Sequence, residues 1–303
     1  MWTKLAVIGV PSSAGAHGPG QELAPQWLRR VGLIERLNAA CPDVIDLGDL
    51  PTVCFRPDPE NPKQQNLERV CRVAQQTAER VSQALTLGEK FLVIGGDCTI
   101  TLGVLAAALK HFASVGMLYF DGDIDLNTPA DTPSGIFDGM GLAHILGEGA
   151  TELTHIGPRF PLLGEADIVL FGCNLESGWT DPAEVQRLER SALARYPVRD
   201  VRGRAREAAT EALRILEKQA EHIVVHFDVD VIDGAEFPAA DIPHSGGLSF
   251  RDAAEALQVF LSSPRTAGLV VTEFNPSRDA DSAQARRLLD ELARSICPPD
   301  ASA

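Results

Sequence analysis

Residues 117–138 read MLYFDGDIDLNTPADTPSGIFD, and this stretch decides the fold. An apolar strand predicted over residues 115–120 ends in three carboxylates at alternate positions, Asp121, Asp123 and Asp125. Side chains two residues apart on a strand point to the same face, so these charges would repel one another unless a cation lay among them. Carboxylate oxygens are the ligands that hard divalent ions prefer. The stretch therefore predicts a metal site at the end of a strand.

A second strand ends in the same pattern further along the chain. Residues 223–230 read IVVHFDVD, so that Asp228 and Asp230 close another apolar run. Cys98 and Glu273 also follow short apolar runs. Ligands of parallel sheets bind just outside the carboxyl ends of the strands, so these residues are predicted to form one site.

Two histidines lie close to this predicted site in the sequence. His226 precedes Asp228 by two residues and shares its face of the strand, where we expect it to support the site from one layer deeper. His244 belongs to the loop that follows the same strand and is predicted to reach the mouth of the site, where it would contact substrate.

Strands and helices alternate along the whole chain. Strands are predicted over 4–10, 91–94, 115–120, 168–171, 223–227 and 269–271, and helices over 21–38, 64–85, 99–112, 182–194, 204–220 and 280–296. This alternation predicts an α/β fold with a mainly parallel central sheet and helices on both faces. No linker or change of composition divides the chain, so a single domain over 1–303 is expected.

The composition and charge of the chain argue against nucleic acid and membranes as binding partners. The net charge of −15 argues against binding to nucleic acid. No run of apolar residues is long enough to span a membrane. The six cysteines include no C-x-x-C pair, which favours a reduced, cytoplasmic chain over a disulfide scaffold, with the cysteines other than Cys98 serving only in packing.

Five motifs in this order resemble those of the ureohydrolase superfamily, which contains the arginases, agmatinases and formimidoylglutamases. The motifs are GGDCTITLG, DGDIDLNTPADTPSGIFDG, FDVDVID, SGGLSF and TEFNP. The resemblance implies a three-layer α/β/α arginase-like fold that assembles as a trimer or hexamer. It also implies two Mn²⁺ ions that activate a bridging hydroxide, which attacks the guanidinium carbon of a small guanidino substrate.

The same resemblance assigns roles to individual residues. Glu273 would pair with the guanidinium, and Asn127 and Ser134 would hold the substrate's amino-acid end. Ile136 stands where arginases use a polar residue, which puts arginine itself in doubt as the substrate. The metal ligands would be Cys98, Asp121, Asp123, Asp125, Asp228 and Asp230.

This chain departs from the family pattern at three histidine positions. Cys98 and Asp123 stand where the family has metal-binding histidines, and Asp138 replaces the histidine that passes protons. Two ions held by five carboxylates and a thiolate would carry excess negative charge, which should raise the pKa of bound water and slow turnover. Asp138 would be the general acid only with a raised pKa, and capping of a loop is its alternative role.

Two hypotheses from different classes follow. The first is a metal-dependent amidinohydrolase that cleaves a C–N bond of a guanidino or related substrate through a metal-bound hydroxide. The second is a catalytically silent arginase-like subunit with a structural or regulatory role, because all three family histidines are replaced. A deacetylase on the same general fold is a third hypothesis, which the absence of a D-x-H motif disfavours.

Overall fold

A parallel sheet forms the centre of the fold. The computed structural model describes residues 2–178 and 180–298, and in this part of the chain it has eight strands. They are β1 (Lys4–Gly9), β2 (Asp43–Asp49), β3 (Lys90–Ile94), β4 (Val115–Phe120), β5 (Ile168–Phe171), β6 (Ala194–Tyr196), β7 (His222–Asp228) and β8 (Thr266–Thr272). Their order in the sheet is β2-β1-β3-β8-β7-β4-β5-β6, and every pairing is parallel.

Helices connect the strands and cover both faces of the sheet. The helices of the described residues are α1 (Ala24–Arg30), α2 (Leu33–Ala40), α3 (Leu67–Thr86), α4 (Ile100–His111), α5 (Gly141–Ile145), α6 (Thr151–Thr154), α7 (Pro182–Arg190), α8 (Val198–Val201), α9 (Ala205–Gln219), α10 (Phe250–Ser262) and α11 (Ala283–Ile296). Because parallel strands need crossover connections, most of these helices return the chain to the start of the next strand.

The two faces of the sheet bury separate hydrophobic cores. Along β4, Leu118 and Phe120 join the core that includes α9, α10 and α11, whereas Met117 and Tyr119 join the core that includes α3 and α4. This alternation follows from the two-residue period of a strand. The three-layer α/β/α fold predicted from the sequence is therefore confirmed.

Most elements, but not all, match the sequence prediction. The helix expected over 21–38 is interrupted at Gly32, whose φ of 101° is compatible with glycine and ends α1 before α2 begins. The edge strands β2 and β6 and the helices α5, α6, α8 and α10 were not predicted. β2 reads DVIDLGD, a half-exposed edge strand without an apolar run, and β6 has only three residues.

The order of the strands brings the predicted site residues together. Strands β3, β8, β7 and β4 are neighbours at the middle of the sheet. Cys98, Glu273, Asp228 and Asp121 lie at or shortly after the carboxyl ends of these four strands, in the same order. Residues far apart in the sequence therefore meet at one edge of the sheet.

The cysteine prediction is wrong for one pair. Cys41, at the end of α2, forms a disulfide with Cys297, which follows α11. Both residues are buried, and α2 packs against α11, so the two chain segments lie close enough to be bridged. Cys54, Cys71, Cys98 and Cys173 are free thiols. Among the described residues, no helix has the length and apolar character required to cross a membrane.

Candidate metal centre

A small cavity opens at the carboxyl edge of the four central strands. Its volume is about 70 Å³, and its walls carry seven acidic groups, one thiol and a histidine. The lining residues are His17, Cys98, Asp121, Asp123, Asp125, Asp138, Gly139, Asp228, Asp230, Ile242 and Glu273. All six predicted metal ligands and both predicted catalytic residues are therefore brought together here.

Three of these residues converge with the buried His226 behind the cavity wall in what we call the inner cluster, formed by Cys98, Asp121, His226 and Asp228. One ligand atom from each lies within 4.8 Å of the others. The Cys98 thiol donates to Asp228 Oδ2 at 2.8 Å, and its Sγ lies 3.6 Å from His226 Nε2. The same Nε2 lies 3.3 Å from Asp121 Oδ2. All four residues are at most 4 % exposed.

His226 contributes to this cluster but does not line the cavity, so its expected position one layer deeper, where it would support the site, stays a prediction. It lies on β7 on the same face as Asp228, and its ring stacks on Tyr119 of β4 with 4.4 Å between centroids. Its Nδ1 lies 2.8 Å from the hydroxyl of Thr101 on α4, which fixes the plane of the ring. Burial lowers the pKa of His226 to about 3, so the imidazole is neutral.

A second group, the outer cluster, consists of Asp123, Asp230 and His244. His244 Nε2 lies 3.1 Å from Asp123 Oδ2 and 3.5 Å from Asp230 Oδ2. Burial lowers the pKa of His244, but the two carboxylates outweigh burial and raise it to about 11. The Nε2 of His244 therefore faces two acidic side chains of the site, and its predicted contact with substrate stays a prediction. Gly122 packs against this cluster, where an added Cβ would lie 2.9 Å from Asp230 Oδ1.

Cys98, Asp138 and Glu273 form a third group that shares the thiol. Asp138 Oδ1 accepts a hydrogen bond from the backbone N–H of Cys98 at 2.8 Å, so the capping role weighed against proton transfer is present in the fold. Glu273 Oε2 accepts a hydrogen bond from Gln21 Nε2 at 2.6 Å. Its other oxygen, Oε1, is buried and has no hydrogen-bond partner in the described structure. A cationic donor would satisfy that oxygen.

Asp125 lines the cavity, but it belongs to none of the three groups of convergent ligand atoms found among the described residues. Its Oδ2 accepts a hydrogen bond from the Tyr119 hydroxyl at 2.5 Å. Asp125 and Glu273 both have positive φ, at 54° and 63°, which few residues other than glycine adopt.

Two of the predicted substrate contacts, Asn127 and Ser134, lie on the loop after β4, outside the cavity lining. Ser134 Oγ accepts the backbone N–H of Ile136 at 3.2 Å, and Asn127 is half-buried beside the same loop. Ile136 is 5 % exposed and packs inward. The roles of Asn127 and Ser134 stay predictions.

Burial and mutual repulsion dominate the electrostatics of the site. Burial raises the pKa of Asp121, Asp125, Asp138, Asp228, Asp230 and Glu273, and neighbouring carboxylates raise each of them further. Burial and the adjacent acids also raise the pKa of the Cys98 thiol. Divalent cations would reverse these shifts, because each ion stabilises the ionised form of its ligands. The donor set of oxygens, one sulfur and imidazole nitrogens fits such ions.

Sequence reasoning missed two residues that the structure brings to the site. His17 lines the cavity from the loop that follows β1, and Gln21 positions Glu273. The signal available in the sequence was the Gly- and Pro-rich stretch GAHGPGQ, whose sharp turns indicate close approach of backbone to a functional site.

Comparisons with known proteins agree with this geometry. A family profile described as "Arginase family" matches residues 3–297. The arginase of Bacillus caldovelox is 30% identical over 278 residues, which cover 91% of this chain and 92% of the relative. The crystal structure of arginase from Bacillus cereus superposes with a TM-score of 0.88 at 27% identity and covers 98% of this chain and 99% of that chain. The formimidoylglutamase of Bacillus subtilis shares the fold, with a TM-score of 0.73 at 18% identity, and covers 97% of this chain and 86% of that chain.

Proposed function

The chain belongs to the arginase family, and on that premise we propose that it is a metal-dependent hydrolase that cleaves a C–N bond of a small guanidino or related substrate. The observation that carries the proposal is the convergence of buried acidic and thiol groups from β3, β8, β7 and β4 in one cavity. Burial of these groups so close together without a cation would destabilise the folded state by several kcal/mol per group. We therefore infer that the cavity binds cations.

We propose two divalent ions, for which Mn²⁺ is the family expectation. The inner cluster would hold one ion and the outer cluster the other, with Asp121 and Asp228 placed near both because they lie at the ends of adjacent strands. When bound, such ions supply Lewis acidity that lowers the pKa of water for attack on an electrophilic carbon. Asp125 could contribute its Oδ1 to an ion while its Oδ2 keeps the hydrogen bond from the Tyr119 hydroxyl.

Glu273 is proposed to bind the cationic head of the substrate. Its Oε1 is buried without a hydrogen-bond partner in the described structure, while Gln21 holds the other oxygen in place. A planar guanidinium offers N–H donors that match a carboxylate. Glu273 lines the small cavity of about 70 Å³, where a compact cationic head group would meet its carboxylate.

Asp138 is proposed to donate a proton to the leaving nitrogen. Burial raises its pKa, and the nearby acids Asp97, Asp241 and Asp230 raise it further, which favours the protonated form that a general acid requires. Its hydrogen bond to the Cys98 N–H positions the carboxyl at the wall of the cavity.

The substrate is proposed to be a guanidino compound other than arginine. Ile136 is buried and apolar and so offers no partner for an α-carboxylate. Asn127 and Ser134 remain available on the same loop for a hydroxyl, amide or shorter acid group. We also propose a homo-oligomer of three or six chains and a cytoplasmic location. Because Cys41 and Cys297 form a disulfide, the cysteines do not support that location.

The experiment is a screen of guanidino compounds for release of urea or amine by protein loaded with Mn²⁺. Turnover that is lost on chelation, restored by metal and absent in Asp228→Asn would support the hydrolase. Binding of metal without turnover of any compound would favour the silent subunit instead. A protein that binds no metal and keeps its stability in Asp228→Asn would overturn the proposal.

A further inference from the structure

The two ion positions of the centre differ in the chemistry of their donors. The outer cluster supplies two carboxylates and the imidazole of His244, which lies on the loop between β7 and α10. The inner cluster supplies a thiol and an imidazole together with two carboxylates, and all four lie on or next to strands of the central sheet. Nothing in the family resemblance assigns His226 to either position.

We propose that Cys98 and His226 make the inner position a zinc-type site, which binds Zn²⁺ or Co²⁺ in preference to Mn²⁺, so that the two ions of the centre are different metals. The proposal rests on the metal dependence proposed above. Thiolate and imidazole donors favour Zn²⁺ and Co²⁺ over Mn²⁺, whereas carboxylate donors suit Mn²⁺.

The spacing of the inner donors fits a tetrahedral ion. Zinc bonds of about 2.3 Å to sulfur and about 2.0 Å to nitrogen or oxygen place sulfur and nitrogen roughly 3.5 Å apart, and nitrogen and oxygen roughly 3.3 Å apart. The structure has 3.6 Å between Cys98 Sγ and His226 Nε2, and 3.3 Å between His226 Nε2 and Asp121 Oδ2. Two edges of the tetrahedron are therefore already formed.

The third edge is shorter, and its chemistry explains why. Cys98 Sγ and Asp228 Oδ2 lie 2.8 Å apart because the thiol donates a hydrogen bond to the carboxylate. When an ion binds, the thiol proton leaves to solvent and the S–H···O bond is lost. Repulsion between thiolate and carboxylate then widens this edge around the ion.

The imidazole of His226 is held in a geometry that a ligand requires. Stacking on Tyr119 and the Nδ1 contact of 2.8 Å to the Thr101 hydroxyl fix the ring, with Nε2 directed at Cys98 and Asp121. A metal-binding histidine characteristically uses its second nitrogen to donate to an oxygen, and Thr101 Oγ1 supplies that acceptor. His226 therefore supplies an imidazole donor from β7, whereas Cys98 supplies its thiol from the segment that follows β3.

The test is a Co²⁺ titration of metal-free protein followed by absorption spectroscopy. Wild type is expected to show a thiolate-to-Co²⁺ charge-transfer band and intense visible bands typical of tetrahedral Co²⁺, which saturate at one equivalent. One equivalent of Zn²⁺ should abolish these bands, and a hundredfold excess of Mn²⁺ should not. Elemental analysis after exposure to both metals should find Zn²⁺ and Mn²⁺ together.

Two variants and two matched controls locate the site. Cys98→Ser should lose the charge-transfer band, and His226→Gln should weaken Zn²⁺ binding by more than about 100-fold, the upper range seen when a mere supporting partner is removed. Cys173→Ser removes another buried free thiol, and His222→Gln removes a histidine at the far end of the same strand. Both controls should bind Co²⁺ as wild type does.

A measurement on wild type covers the case in which His226→Gln does not fold. The ¹¹³Cd resonance of protein loaded with one equivalent of ¹¹³Cd²⁺ should carry the shift of a site with one sulfur ligand and couple to a ring nitrogen of His226. Any one of three results would overturn the zinc-type site. They are saturation by Co²⁺ without a thiolate band, unchanged Zn²⁺ affinity in both variants, and replacement of bound Zn²⁺ by Mn²⁺. These results would leave the metal-dependent hydrolase standing, whereas absence of any divalent metal would overturn both.

Discussion

The inner and outer clusters lie side by side in one cavity but are built in different ways. Inner-cluster donors sit on or just after strands, and each residue is at most 4 % exposed. In the outer cluster, the side chain of Asp123 is 39% exposed, and His244 comes from the loop between β7 and α10. The ends of the strands therefore position the inner donors and Asp230, whereas the partly exposed Asp123 and the loop residue His244 are held less firmly. Changes at the inner cluster should act on the whole centre, and changes at the outer cluster should act locally.

The largest expected effect comes from Asp121→Asn and Asp228→Asn. Each removes a charged donor at the base of the cavity near both ions, so the affinity for metal should fall by more than about 100-fold and turnover should be lost with it. Metal content after dialysis checks this expectation. Asp200→Asn, at an exposed acid on α8, should retain wild-type content. Equal metal content in all three variants would show that the two clusters do not depend on the strand-end acids.

Removal of metal should destabilise the protein in a pH-dependent way. Burial and mutual repulsion raise the pKa of the cluster carboxyls above the values of an unfolded chain. A raised carboxyl pKa contributes stability that is complete at pH 4 and below and is lost as the pH rises through the folded pKa. Chelated protein should therefore unfold at lower urea concentration at pH 7.5 than at pH 5.

Bound metal should remove that dependence. Metal at about 100 times its dissociation constant adds roughly 2.7 kcal/mol to the free energy of unfolding. Urea titrations with and without chelator at several pH values measure both effects. A chelated protein whose stability rises between pH 5 and pH 7.5 would contradict the picture of an acidic cluster held together by cations.

His244→Asn should separate the two clusters. The variant loses the ionic hydrogen bonds to Asp123 and Asp230, so in chelator its free energy of unfolding should fall by about 1.5–3 kcal/mol near pH 6. The raised pKa of His244 places its stabilisation below pH 6.5, and this is lost as the pH rises toward about 11. The difference from wild type should therefore shrink at high pH, and one metal equivalent should remain in the inner cluster. Loss of both ions would show that the clusters are not independent.

The smallest effect is expected from Gly122→Ala. The new methyl group would lie 2.9 Å from Asp230 Oδ1 and 3.0 Å from the Asp230 backbone oxygen, so the outer cluster must shift slightly. Overpacking of this kind costs about 1–3 kcal/mol. Stability should drop by that amount, with outer-ion affinity reduced and inner-ion affinity unchanged. Gly139→Ala, at a cavity-lining glycine whose added Cβ would meet no atom within 4 Å, is the control.

The same contrast explains how much of the site was predictable from sequence. Strand ends carry a local signal, so Asp121, Asp123, Asp125, Asp228 and Asp230 were found from an apolar run followed by alternate acids. The central strands were found for the same reason, whereas the edge strands β2 and β6 lack a two-sided apolar pattern.

The contacts that were not predicted depend on how elements pack in three dimensions and on pairing between residues far apart in the sequence. His226 was placed on the correct face, but its distance from Cys98 depends on how β7 and α4 pack, and no local pattern encodes that. The bridge between Cys41 and Cys297 joins residues 256 apart in sequence, so spacing rules for cysteines did not apply. Gln21 reaches Glu273 only because two loops meet over the end of the sheet.

The positive φ angles of Asp125 and Glu273 have a consequence for protein engineering. A residue other than glycine in this region costs roughly 1–3 kcal/mol, so the fold stores energy at two acids of the cavity. Asp125→Asn would relieve part of this cost, because asparagine tolerates the conformation better, loses the buried charge and still accepts the Tyr119 hydroxyl. A library of variants selected for heat resistance alone would enrich such changes and discard the acids of the cavity, so any stabilisation programme must screen for metal content in the same round.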